Sequence, residues 1–281
     1  MAKNARFPRL PLRVGMSARM VAAVGLLALF PVTEAVAQAP KLDVAGAIQK
    51  IRSGDEARMR GGLDELRLAG PIGASGVSAI VEVLSRGLSE SLTVQALDTL
   101  GDLESPTAAG VLGQYAAHRS VSVRCAAVRA LGRTRSAAAS APLRKALSDS
   151  EASVRGLAAT SLGTLKAKDA TKDLVLALDH NVREAALALG QACSAEGCLE
   201  LVAKIGKLPL EMLGPGVEAI VLRPDVPEEA KEKLLARMGK LETVEAHRFL
   251  KALETRLPKD ATPKTRRAVA QAIANTTGAV R

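Results

Sequence analysis

Residues 123–132 read Val-Arg-Cys-Ala-Ala-Val-Arg-Ala-Leu-Gly, residues 154–163 read Val-Arg-Gly-Leu-Ala-Ala-Thr-Ser-Leu-Gly, and residues 182–190 give a shortened version, Val-Arg-Glu-Ala-Ala-Leu-Ala-Leu-Gly. The closing glycine sets a beat. Gly70, Gly101, Gly132 and Gly163 stand 31 residues apart, and Gly190 follows after 27. Four positions before these glycines lie Leu66, Leu97, Val128, Ala159 and Ala186, all apolar; eleven positions after them come Val81, Leu112, Leu143, Leu174 and Leu201. Self-similarity at a fixed period of this size marks a repeat architecture and decides the fold class before any single element does.

Within one unit the apolar spacing is helical. Val123, Ala126, Ala127, Ala130 and Leu131 recur at three- and four-residue intervals along one face, and Leu143, Ala146 and Leu147 resume the pattern after the glycine. The glycine between the two patterns predicts a helix C-terminus with a left-handed residue, so the unit is helix, glycine-marked turn, helix, turn. Polar joints such as His118-Arg119-Ser120 and Ser148-Asp149-Ser150 separate the units, and their Ser and Asp side chains are expected to cap the helices that follow. One such hairpin cannot bury its apolar face alone, whereas a stack buries a continuous seam. The predicted fold is all-α, an α-solenoid of stacked hairpins.

Composition agrees with thin, closely packed helices. Of the 281 residues 48% are hydrophobic and 24% charged, but aromatics make up 1% and Trp is absent, so the core must come from Ala, Leu, Val and Ile. Residues 1–37 read as a signal peptide: Lys3, Arg6, Arg9, Arg13 and Arg19 are basic, residues 21–30 are apolar, and Ala35-Val36-Ala37 offers a small-x-small cleavage site before Gln38. The apolar run is too short for a membrane helix, which needs roughly 20 residues. No arginine pair precedes it and no Cys follows it, which favours the general secretory route over the twin-arginine route and argues against a lipid anchor. The product is expected in the periplasm or outside a bacterial cell, with no stable membrane insertion after cleavage. Removing five basic and one acidic residue lowers the net charge from +10 to +6.

The remaining chain divides into an N-terminal helix or linker at 38–54, the array at 55–206 and divergent helical repeats or a cap at 207–281. In the last part Pro227-Glu228-Glu229 predicts a helix start, and two further amphipathic helices are read at 244–257 and 265–274. The stretch 207–226 is the most broken, and Gly214-Pro215-Gly216 reads as a turn.

The Val-Arg, alanine, Leu-Gly pattern at 123–132, 154–163 and 182–190 resembles the short HEAT-like repeats named after phycobilisome lyases, over about residues 90 to 206. That resemblance implies a right-handed, armadillo-like superhelix with a concave surface for protein partners; the second helices are expected to line it. It implies no single activity, because the family includes lyases and scaffolds. Relatives that are di-iron hydroxylases use His-Glu pairs, but His118, His180 and His247 precede Arg119, Asn181 and Arg248.

Candidate site residues are few. Arg124, Arg155 and Arg183 share one repeat position. They form either a basic stripe for an acidic partner or a structural ladder bonding turn carbonyls and carboxylates such as Asp149 or Asp179; membership of the repeat pattern favours the structural role. Cys193 and Cys198 flank a short turn and are either joined as a staple or left as free thiols, while Cys125 is expected to be a small buried hydrophobe. The sequence carries neither a nucleophile elbow nor a cysteine-protease signature. No catalytic residue, cofactor or metal site is assigned. With only Tyr115 and Phe249 left to stack on bases, nucleic acid is not expected as a partner. The leading expectation is a monomeric, non-enzymatic scaffold that binds protein in the bacterial envelope. The alternative is a lyase-type enzyme or enzyme-associated subunit, with a nucleic-acid-binding repeat third.

Overall fold

The computed structural model describes residues 43–280; the segment 1–37 read as a signal peptide and the cleavage position expected before Gln38 lie outside the described residues. Two helices, α1 (Val44–Arg52) and α2 (Glu56–Ala69), lead into α3 (Val77–Ser85). Helical hairpins follow: α4 (Glu90–Asp102) with α5 (Ala109–Tyr115), α6 (Val121–Arg133) with α7 (Ser140–Ala146), α8 (Ala152–Thr164) with α9 (Thr171–Asp179), and α10 (Glu184–Ala192) with α11 (Ala195–Lys204). Then come α12 (Leu210–Leu222), α13 (Glu228–Gly239), α14 (Val244–Arg256) and α15 (Pro263–Thr276). A single buried apolar cluster runs from Ala47 to Ile273, which is the continuous seam of an α-solenoid.

The glycine column behaves differently from expectation. Only Gly70 has a positive φ, +52°, whereas Gly101, Gly132, Gly163 and Gly190 lie inside helices and are buried. Their reason is proximity. A Cβ on Gly101 would stand 2.8 Å from Ala130 Cα, one on Gly163 2.9 Å from Ala188 Cα, and one on Gly190 2.6 Å from the Gly216 carbonyl. Backbones of successive long helices thus touch with no side chain between them. The left-handed turn comes three residues later, at Glu104, Arg135 and Lys166, with φ of 49°, 53° and 51°.

The two layers of helices meet differently. The short helices meet through side chains, as where a Gly113 Cβ would lie 3.4 Å from the Pro142 ring, while α4, α6, α8, α10 and α12 pack directly on one another. The small residues Gly and Ala bring the layer of long helices together.

Two local readings also change. Gly214-Pro215-Gly216 is no turn but lies within α12: Pro215 points outward, and Gly216 lets α12 approach α10, since its Cβ would fall 2.2 Å from the Ala186 carbonyl. The Ser side chains of the joints do not cap α6 or α8; Ser120 bonds Glu90 instead, and Asp149 accepts the N–H of Glu151. Residues 56–85 are long and apolar enough to cross a membrane by composition, but the Gly70 turn breaks them into α2 and α3, both packed into the array.

Candidate binding groove

The arginine position of the repeat faces the joints between hairpins. Arg124 makes a bidentate pair with Asp149, Nε to Oδ2 and Nη2 to Oδ1 both at 2.8 Å, and its Nη1 donates to the carbonyls of His118 and Arg119. Arg155 repeats the second half of this arrangement, donating from Nη1 to the carbonyls of Asp149 (2.8 Å) and Ser150 (2.9 Å). These bonds satisfy carbonyls that a helix-to-helix joint would otherwise leave unpaired. Burial pushes the Asp149 carboxyl up, but the hydrogen bonds from Arg124 and the Glu151 N–H outweigh it and hold its pKa below the ordinary value. Arg183 sits in the shortened unit, where its Nη2 reaches Glu211 at 3.0 Å on the open surface and no turn carbonyl. Asp179 pairs with Lys204.

Cys193 ends α10 and Cys198 lies in the first turn of α11; the two are joined, with Cα atoms 5.2 Å apart, and both are buried. Arg223, from the end of α12, donates Nη1 to the carbonyls of Gly190 (2.9 Å) and Cys193 (3.1 Å) while clamping Asp225 with Nε and Nη2. That clamp holds the Asp225 carboxyl down to about 2. Cys125 is only half-buried, with Sγ 3.7 Å from Ser153 Oγ.

A groove of about 720 Å³ opens at the other edge of the stack, along the turns inside the hairpins. It crosses three successive units: Glu104 comes from the first, the segment from Gly132 to Ser140 from the second, and that from Thr164 to Asp169 from the third. Gly132, Ala137, Leu165 and Ala167 contribute its apolar lining. Its rim is the column of left-handed turn residues, joined by Arg133 and Lys168. Sequence reading passed over this column, although its signal is plain in retrospect: a charged residue three positions after each of Gly101, Gly132 and Gly163.

Elsewhere the candidate groups are structural. His118 Nδ1 accepts from the Ser120 N–H, and the His247 ring bonds Thr276. Among the described residues no three His, Cys, Asp or Glu side chains converge on a metal position.

Known proteins resemble the chain chiefly in architecture. The family described as HEAT repeats matches residues 77–162. No curated protein matches the sequence. Among solved structures, an engineered protein is 18% identical, covering 83% of this chain and 78% of its own, with a TM-score of 0.48. The complex of CpcE and CpcF of phycocyanin lyase from Nostoc sp. PCC7120 is 17% identical, covering 88% of this chain and 98% of that one, with a TM-score of 0.46. Human deoxyhypusine hydroxylase is 17% identical, with coverages of 83% and 96% and a TM-score of 0.38. Residues 77–162 match HEAT repeats and lie within a longer α-solenoid of helical hairpins.

Proposed function

We propose that this chain is an exported, non-enzymatic binding protein of the bacterial envelope that docks a protein partner in the groove along its intra-hairpin turns. One observation carries the reading: the groove crosses three consecutive hairpins, so its length is set by the stack and suits an extended segment of another polypeptide. A repeat scaffold holds such a groove rigidly, because each turn is fixed by helices packed on both sides, and a rigid surface loses little entropy on binding. Export rests on the signal-like composition of residues 1–37, and the joined pair Cys193 and Cys198 suits an oxidising compartment.

Site-specific photocrosslinking in cells tests this. A photoreactive amino acid at Ala137, exposed in the groove lining, is expected to give a discrete adduct with an envelope protein, whereas one at Lys240, exposed at the end of α13, gives none. Absence of an adduct from Ala137, or equal adducts from both positions, would defeat the proposal.

A further inference from the structure

We infer that the groove takes an acidic polypeptide segment, with Lys166 and Lys168 as its principal anchors; this rests on the docking function proposed above and names the chemistry of the partner. The argument is one of complementary charge. Four cations line the groove: Arg133, Arg135, Lys166 and Lys168. Every carboxylate beside it is already engaged. Asp102 is bridged by Arg67 and Arg133, Glu104 by Arg135 at 2.7 Å, and Asp169 accepts from Ser140 at 2.7 Å and faces Arg144 at 3.6 Å. Asp225, whose charge reaches Lys166, is clamped by Arg223.

Lys166 and Lys168 form no ion pair among the described residues, although both are exposed at the groove. Two ammonium groups without an ion-pair partner among the described residues thus stand two residues apart on one turn at this groove. A chain bearing Asp or Glu supplies what the rim lacks, and successive carboxylates can meet Lys166 and Lys168 without displacing any existing pair.

The test uses the full chain and a fluorescein-labelled octaglutamate peptide followed by fluorescence anisotropy. Saturable, salt-sensitive binding is expected, weakened at least tenfold by Lys166→Glu with Lys168→Glu and less than twofold by Lys233→Glu with Lys240→Glu, a charge-matched control on α13 and the residue that follows it. Absence of saturable binding, or equal weakening by both double variants, overturns the inference. So does tighter binding of duplex DNA or of phosphatidylglycerol vesicles through the same two lysines, since either would mark a general polyanion surface. Persistence of the Ala137 photoadduct in the Lys166→Glu, Lys168→Glu chain would leave the protein-docking function standing while removing its acidic chemistry.

Discussion

The regular hairpins from α4 to α11 and the helices from α13 to α15 use the same packing device on opposite layers. In the first region the tight contacts join successive long helices, and the sequence passes on through α12. Beyond it, α12 scarcely meets α14, whereas α13 lies against both α11 and α15. Gly239 in α13 then does what Gly101 does in α4: its Cβ would stand 3.1 Å from Ala272 Cα. The tight layer has changed sides. What makes a layer tight is therefore a buried helical glycine facing a small residue, and not the order of helices in the chain.

The comparison can be broken most forcefully at the glycines. Gly190→Ala, which places a methyl 2.6 Å from the Gly216 carbonyl, is expected to cost about 3 kcal/mol in denaturant unfolding. Gly239→Ala, at 3.1 Å from its neighbour, is expected to cost about 1 kcal/mol. Gly61→Ala, in α2 with open space around it, is expected to stabilise by about 0.5–1 kcal/mol, as alanine does in an ordinary helix. Equal losses at all three positions would show that helix propensity, and not close approach, governs the column.

The arginine position gives a second contrast. Asp149→Ala removes a bidentate partner from a pair only 12% and 11% exposed and is expected to cost about 2 kcal/mol, on the scale of hydrogen bonds to charged groups. Arg183→Ala acts on an exposed pair and should change stability by less than about 0.5 kcal/mol. A double-mutant cycle of Arg124 with Asp149 would sharpen the first value. Reduction of the bond between Cys193 and Cys198, which closes a short loop, is expected to lower stability by about 2 kcal/mol in the chain-entropy account; an unchanged unfolding midpoint under reductant would contradict it.

The smallest effect belongs to acid. Asp225 is held down to about 2 from an ordinary 3.8, so the folded state binds its proton less readily than the unfolded chain. The stability this contributes is present above about pH 4 and disappears as pH falls through about 2. Solvent exposure of Asp225 keeps it small, and Asp225→Asn is expected to flatten the acid limb of the unfolding profile only slightly.

The hairpins were readable from the glycine beat and the three-and-four spacing, and so were helix starts such as Glu228 after Pro227. The meaning of the beat was not. A glycine near a helix end suggests a left-handed cap, but whether it is needed for conformation or for contact depends on the neighbouring helix 31 residues away. The same holds for Gly214-Pro215-Gly216: its local preference for a turn is overruled by the close approach of α12 to α10. The groove escaped notice because its rim comes from turns of three separate hairpins, and only stacking brings Glu104, Arg135 and Lys166 to one edge.

Those three turn residues have a consequence of their own. A non-glycine side chain in the left-handed region costs roughly 1 kcal/mol, a cost that glycine would avoid. The chain nevertheless places a glutamate, an arginine and a lysine there in successive units, with φ within a few degrees of one another. A backbone that accepts either sign of charge at one geometry is an interchangeable socket. If the edge docks a partner as proposed, its preference is expected to change one letter per hairpin on exchange of these side chains, while the helices that hold them stay as they are.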